Sequence, residues 1–292
     1  MPRKETIAII GLGQIGGSLA LALRQANFFH QIAGYDCHQK RLQLAGQFLD
    51  HVCSGLDDAF TRGDVILLAT PVLEIQRLLE FGFAHYPQKF YTDVGSVKTA
   101  ISAISAKQQL GRYIGGHPLA GSEKEGEKGW DAELFCGKNY YLVQATNQTQ
   151  SDEELLLEMI RAIGAIPIFI SPAEHDRAMA ATSHLPLLLS LTLMGIFVPR
   201  ASQLQPYVGS GFRSLTRLTG GSPVMGKDLL LSNRDNLLLE LDLFLAKIAE
   251  LKRQLQNSDE TTLLQFLQEC QQYYWQQIEP DQSKKENRIE KI

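Results

Sequence analysis

Cysteine is scarce: Cys37, Cys53, Cys136 and Cys270 are the only four in 292 residues, and no two stand in C-x-x-C spacing. That pattern excludes a disulfide framework and the usual cysteine zinc site, so reduced thiols and no bound metal are expected. Clustered basic residues are missing too. Twenty-eight Lys and Arg stand against 32 Asp and Glu, a net charge of −4, which argues against nucleic-acid binding. No uninterrupted apolar run approaches the roughly 20 residues needed to cross a bilayer. The stretch Met1-Pro2-Arg3-Lys4-Glu5 passes into an apolar strand without the flank and cleavage site of a signal peptide. A soluble, cytoplasmic protein with no membrane partner is expected, acting on a small molecule. Internal repeats and low-complexity segments are absent, which leaves ordinary globular domains.

What is present is enough length for two such domains, each with its own core. From Thr6 to about Ile170, short apolar runs alternate with helical segments, the pattern of a parallel sheet covered on both faces. Strands are expected at 7–10, 32–35, 65–69, 90–92, 113–114, 140–143 and 166–170. At Ser171-Pro172-Ala173-Glu174 an N-cap serine, a first-turn proline and a glutamate three residues after the cap announce a helix. Beyond it no strand pattern returns, and residues 185–198 and 228–255 are long and leucine-rich. The expectation is an α/β domain at 1–170, with a doubly wound, mostly parallel sheet, followed by an all-α domain at 171–292. In the segment 235–255 the apolar residues 237, 238, 241, 244, 245, 248 and 251 form one continuous face, suited to an internal core or to a helical dimer interface. The tail from Gln276 to Ile292 is charged and patternless, and is expected to fray.

The loop Gly11-Leu12-Gly13-Gln14-Ile15-Gly16 follows the first strand and opens a helical run, the context in which G-x-G-x-x-G binds a dinucleotide and marks a Rossmann domain. Gly11 permits the tight turn, Gly13 lets the backbone approach a pyrophosphate, and Gly16 lets helix pack on strand. The pyrophosphate then meets the N–H groups of the helix N-terminus, at Gln14 and Ile15. Asp36 stands 20 residues after Gly16, at the end of the second strand, placed to accept from the ribose hydroxyls. Thr70, directly after the third expected strand, completes the cofactor set. A carboxylate at 36 repels a 2′-phosphate, so NAD is expected over NADP, with Lys40 and Arg41 softening the discrimination.

Four further segments carry candidate chemistry. Ser96, in Asp93-Val94-Gly95-Ser96-Val97-Lys98, belongs at the carboxyl edge of the sheet, where ligands of open α/β sheets bind. In Gly115-Gly116-His117-Pro118 the glycines allow a close backbone approach to a ligand and the proline fixes where His117 points. His117 then reads as a proton acceptor or as a turn histidine bonded to backbone. His184, in Ser183-His184-Leu185-Pro186, reads as a pocket residue or a core histidine with one satisfied nitrogen. Arg213 and Arg217 share a helix face, either solvated or forming a carboxylate fork.

In this order, behind a Rossmann loop, Gly-His-Pro-Leu-Ala-Gly-Ser at 116–122, Ser-His-Leu-Pro at 183–186 and Gly-Phe-Arg with Thr-Arg at 211–217 resemble the prephenate/arogenate (cyclohexadienyl) dehydrogenase family of tyrosine biosynthesis. The resemblance runs from Thr6 to about Leu255. It implies oxidative decarboxylation of a cyclohexadienol bearing a ring carboxylate, and a homodimer formed through the C-terminal helical domain. It also implies roles: His117 as acceptor of the hydroxyl proton, Ser96 orienting that hydroxyl, Arg217 binding carboxylate, and Arg213, His184, Ser122 and Glu123 lining the pocket. Glu123-Lys124 resembles prephenate-active members, so prephenate is expected over arogenate. Two rival readings remain: a β-hydroxyacid or imine-type dehydrogenase with Lys98 as catalytic lysine, and a non-catalytic nucleotide sensor.

Overall fold

The computed structural model describes residues 2–108, 111–121, 124–144 and 147–278. Among the described residues eight strands, β1 (Arg3–Ile10), β2 (Phe29–Tyr35), β3 (His51–Val52), β4 (Val65–Leu68), β5 (Phe90–Asp93), β6 (Arg112–Pro118), β7 (Asn139–Gln144) and β8 (Ile166–Phe169), form one sheet. Their order is β3-β2-β1-β4-β5-β6-β7-β8, and every pairing is parallel except β6 with β7. The first six follow the 3-2-1-4-5-6 order of the Rossmann fold, whose crevice opens where the winding reverses, between β1 and β4.

Period-two alternation sends side chains of each central strand to opposite cores. Ile7, Ile9, Val65 and Leu67 join Leu19 and Leu23 of the helix Gln14–Gln25 in one cluster. Ala8, Ile10, Ile66 and Leu68 join Ile75, Leu79 and Phe83 of the helix Val72–His85 in the other. All seven expected strands are present. β3 was not expected, because two residues paired at a sheet edge leave no periodicity to read.

β6 is longer than the expected pair Tyr113–Ile114. Gly115 and Gly116, expected to let the backbone approach a ligand, are strand residues opposite Val143 and Leu142 of β7, and His117 lies opposite Tyr141. Neither glycine makes room for a ligand. A Cβ on Gly116 would lie 2.5 Å from the Asp93 carbonyl oxygen, and one on Gly115 would lie 2.8 Å from the Tyr113 hydroxyl. Glycine is required here because neighbouring protein groups fill the space.

At Ser171 the expected helix starts with a complete capping box: the hydroxyl accepts from the Glu174 N–H at 3.3 Å and the Glu174 carboxylate accepts from the Ser171 N–H at 3.3 Å. The helical run continues from Pro172 to Tyr207. Its one wide turn, Ala180–His184, is π-helical, with the Leu185 N–H reaching back five residues to Ala180. That turn accommodates Pro186, which has no N–H to return to residue 182. By length and composition the Pro172–Tyr207 run is apolar enough to cross a membrane. The sequence reading missed it by counting uninterrupted apolar residues, and Thr182, Ser183, Ser190 and Thr192 interrupt them. Few of its apolar side chains are covered within the chain, and Leu191, Leu193, Ile196 and Val198 are exposed.

Two compact units result, Met1–Leu237 and Leu238–Ile292. The first carries helical segments beyond the sheet because these pack back on it: Pro223–Ser232 against Val72–His85, and Pro172–Met179 against Thr99–Gln108. In the second, the end of the helix Arg234–Gln256 turns at Ser258 into the helix Glu260–Tyr273, which Asp259 caps by accepting from the Thr262 N–H at 3.1 Å. Along the apolar face expected over 235–255, Leu237 is buried, Leu241, Phe244 and Leu251 are half-buried, and Leu238, Leu245 and Ile248 are exposed. The described residues cover that face only in part.

Candidate active site

The glycine loop has the geometry that its spacing implies. Gly11 has φ +96°, and a Cβ there would strike the Ala69 carbonyl oxygen at 2.6 Å. At Gly16 a Cβ would lie 1.9 Å from the Gly11 carbonyl oxygen, whereas at Gly13 nothing among the described residues stands within 4 Å. Gly13 is also the N-cap of the helix Gln14–Gln25, which has no side-chain cap. Open space therefore meets uncapped N–H groups, the arrangement that receives a phosphate. Gln14 and Ile15 form the first turn, Ile15 half-buried against the core. Thr70 abuts Gly11, and its hydroxyl oxygen is buried with no partner among the described residues. Such an orphaned polar atom beside the loop fits a site built for a polar ligand.

Asp36 ends up more committed than its sequence position suggests. One carboxylate oxygen accepts from the Leu12 N–H at 2.8 Å and from Arg41 at 3.0 Å; the other accepts from the His38 N–H at 2.8 Å. About four acceptor positions belong to a carboxylate, so one remains for a ribose hydroxyl. Arg41 is held from its other side by Glu127, at 3.6 Å. A guanidinium flanked by two carboxylates is a poor receptor for a 2′-phosphate.

Two strands along the sheet, β5 and β6 bring Ser96 and His117 to the same carboxyl edge, both half-buried. His117 Nδ1 lies 2.8 Å from His175 Nε2, and His175 Nδ1 lies 2.8 Å from the Asp176 carboxylate. Asp176 also accepts from the backbone N–H groups of Lys98 (2.7 Å) and Thr99 (2.8 Å). These bonds hold its pKa below the ordinary range against the pull of burial. Burial, aided by His175, Lys98 and His184, holds His117 well below the usual histidine range. His117 is therefore neutral at pH 7, the state of a proton acceptor.

Behind it, the fully buried Lys98 ammonium bridges the Asp93 carboxylate (2.5 Å) and the Gly116 carbonyl (2.6 Å), while the Tyr113 hydroxyl donates to Asp93 at 2.6 Å. Lys98 has no exposed surface with which to meet a substrate, which removes the feature that the β-hydroxyacid and imine readings needed. It props up the strand residue next to His117.

His184 is fully buried. The Asn233 amide donates to its Nδ1 at 3.1 Å and to the Asp176 carbonyl at 2.7 Å. Its Nε2 therefore carries the hydrogen, and has no partner among the described residues. Burial lowers its pKa to about 4. Arg213 and Arg217 are exposed, at the end of the helix Ser210–Thr216 and the start of the 3-10 turn Arg217–Gly220. That turn packs on the helix Leu185–Phe197, with the Ser190 and Thr219 hydroxyls 2.9 Å apart. Ser122 and Glu123 lie outside the described residues.

A family model described as the nucleotide-binding domain of prephenate dehydrogenase matches residues 19–168, just over half of the chain, and one described as its dimerization domain matches residues 171–269. This chain belongs to the prephenate dehydrogenase family. The prephenate dehydrogenase of Bacillus subtilis is 29% identical over 286 residues, covering 92% of this chain and 75% of that protein. Among solved structures, prephenate dehydrogenase from Aquifex aeolicus in complex with hydroxyphenyl propionate and NAD+ superposes with a TM-score of 0.87 at 25% identity, covering 94% of this chain and 98% of that one. The Synechocystis arogenate dehydrogenase superposes with a TM-score of 0.74 at 30% identity, covering 90% and 96%.

Within this family framework the sequence reading missed the residues that support the site. His175 and Asp176 follow the capping box directly and passed as ordinary first-turn polar residues; their adjacency to each other was the available signal. Trp130 was missed as well. Its indole N–H donates to the carbonyls of Leu12 and Gly13, at 3.0 Å each, and the Asp131 N–H donates to Ser18. Gly17 was the clue, being a glycine beyond the fingerprint: a Cβ there would lie 1.9 Å from the indole nitrogen.

Trp130→Phe removes both indole bonds while keeping an aromatic ring. It should weaken dinucleotide binding by roughly 3- to 10-fold, measured by calorimetry, and leave kcat at saturation unchanged. Unaltered affinity would refute the clamp. A second expectation concerns pH. With His184 at about 4 in the folded chain and 6.5 unfolded, the unfolded state takes up a proton that the folded state refuses. Stability should fall by about 3 kcal/mol as pH drops from 6.5 to 4, with His117 adding in the same direction. Urea unfolding of His184→Gln across that range should show a shallower loss.

Proposed function

We propose that this chain is an NAD-dependent prephenate dehydrogenase that oxidises the ring alcohol of prephenate and releases its ring carboxylate as carbon dioxide, giving 4-hydroxyphenylpyruvate. One observation carries the reading: a neutral histidine, His117, at the carboxyl edge of a sheet that also carries a dinucleotide loop, held by a buried imidazole–carboxylate pair. The nicotinamide supplies the hydride acceptor when bound. Gly11, Gly13, Gln14, Ile15, Gly16, Asp36 and Thr70 hold the dinucleotide, and the Asp36–Arg41–Glu127 cluster favours NAD over NADP. His117 accepts the hydroxyl proton, Ser96 orients that hydroxyl, and Arg217 pairs with a substrate carboxylate as a charge-assisted fork. Arg213, Ser122 and Glu123 complete the substrate pocket, and His184, fully buried and bonded to the Asn233 amide, supports it without touching the substrate.

Arogenate is the second substrate to test, because the 30% identity to the Synechocystis arogenate dehydrogenase is higher than the 25% to the Aquifex aeolicus prephenate dehydrogenase. The working form is a cytoplasmic homodimer joined through the C-terminal helices. Supporting this are the exposed leucines of the 235–255 face and the match to a dimerization domain, since an unpaired apolar stripe of that length is costly in water.

His117→Asn should lower kcat by about 10²- to 10⁴-fold with little change in KM for prephenate, followed by NADH absorbance. Arg217→Ala should instead raise KM by about 10- to 100-fold, the weight of a charge-assisted bond. Full turnover by the His117 variant would refute its role. Leu245→Glu combined with Ile248→Glu should convert a dimer to a monomer in light scattering, and a wild-type chain that is monomeric at micromolar concentration would overturn the dimer.

A further inference from the structure

Beyond holding His117, the buried pair His175–Asp176 has no assigned part in the proton's path. His175 is 0% and Asp176 1% exposed, so neither meets solvent or a substrate, yet His175 touches the proposed proton acceptor. Hydrogen positions along the chain follow from donor capacity. A carboxylate only accepts, so the 2.8 Å contact to Asp176 places a hydrogen on His175 Nδ1. In a neutral ring His175 Nε2 is then bare, and the 2.8 Å contact to His117 requires the hydrogen on His117 Nδ1. Nε2 of His117 is left as the accepting atom.

The proposed reaction adds a constraint of its own. Substrate and product each carry one hydroxyl on the ring carbon that is oxidised. Hydride departs to the nicotinamide, and the hydroxyl proton departs to a base as the C–O bond gains carbonyl character. When the bond to the ring carboxylate breaks, its electron pair enters the ring, carbon dioxide leaves, and the resulting phenolate oxygen takes a proton back. Hydride and carbon dioxide leave for good, but the proton is only borrowed. It needs a holding place for the interval, not an exit to water.

We infer that His175, backed by Asp176, is that holding place: as the substrate proton reaches Nε2 of His117, the Nδ1 proton of His117 passes to Nε2 of His175, and both transfers reverse when the phenolate forms. The inference rests on the reading of His117 as the proton acceptor. His175 is a positioning residue that also stores charge, since it touches neither substrate nor cofactor.

The surroundings favour a cation on His175 over one on His117. The groups around the pair are Lys98 on the loop after β5, Tyr141 on β7 with its ring 5.9 Å from that of His175, and His184 and Asp176 on the helical run. Asp93 is consumed by Lys98 and Tyr113. Among the described residues Asp176 is thus the carboxylate that directly bonds either imidazole, and it bonds His175. Among the described residues, a cation confined to His117 would have no carboxylate in direct contact.

Nitrogen-15 NMR of the imidazoles in the wild-type protein without cofactor, near neutral pH, should find His117 protonated at Nδ1; a hydrogen on Nε2 overturns the inference. His175→Gln offers a carbonyl that accepts from Nδ1 but takes no proton. It should keep the His117 tautomer and lower kcat by about 10- to 100-fold, with KM for prephenate within about two-fold. His175→Phe should lose the tautomer as well and fall further. Asp176→Asn strips the cation of its counter-charge, so the acid limb of kcat/KM should move to lower pH while kcat drops. A wild-type kcat in His175→Gln, or an unmoved acid limb in Asp176→Asn, overturns the store while the prephenate reading stands. A wild-type enzyme inert toward prephenate and arogenate overturns that reading and the store with it, whatever the tautomer.

Discussion

The carboxylate of Asp176 joins the start of the helical region to the carboxyl edge of the sheet. It accepts from the backbone N–H groups of Lys98 and Thr99, where the chain leaves β5 to begin its next helix, and from the ring of His175. Without these bonds two uncapped N–H groups and a carboxylate would be buried unpaired, at a cost of several kcal/mol. With them, one residue fixes the loop bearing Ser96, the ring behind His117 and, through its backbone carbonyl, the Asn233 amide that orients His184. The histidines are therefore arranged around one residue, Asp176, whose carboxylate and backbone carbonyl both take part.

Close approach between backbones is the second constraint, and it acts on both halves of the site. In the cofactor loop, Gly11 and Gly16 let strand, turn and helix meet, while Gly17 admits the Trp130 ring that seals the loop from the side. At β6, Gly116 lets the strand bearing His117 lie against the Asp93 carbonyl. The first set opens space for a ligand at Gly13; the second closes space around the Lys98–Asp93–Tyr113 network. The same residue type thus serves opposite ends, and only its neighbours distinguish them.

How much of this was legible depended on whether the signal was local. The Ser171 capping box, the strand alternation and the glycine loop were readable because each depends on residues within one turn or one strand. His117 is recognisable from the sequence but its strand is not, because the pairing that makes Gly115-Gly116 a strand comes from β7, more than 20 residues later. The Pro172–Tyr207 run looked interrupted, because scattered serines and threonines are tolerated on a helix whose hydroxyls bond back to their own backbone, as Thr182 and Thr192 do.

The sequence by itself determined the Rossmann half, the helical half and the presence of a glycine loop followed by an acid at 36, since local periodicity and backbone sterics suffice for these. It also named the residues that carry the family resemblance. Only the tertiary structure decided that Asp36 is shared with Arg41, that Lys98 is sequestered, and that His117 is backed by His175 and Asp176. Those facts depend on contacts between residues tens of positions apart, where hydrogen-bond capacity and burial, not spacing, select the partner.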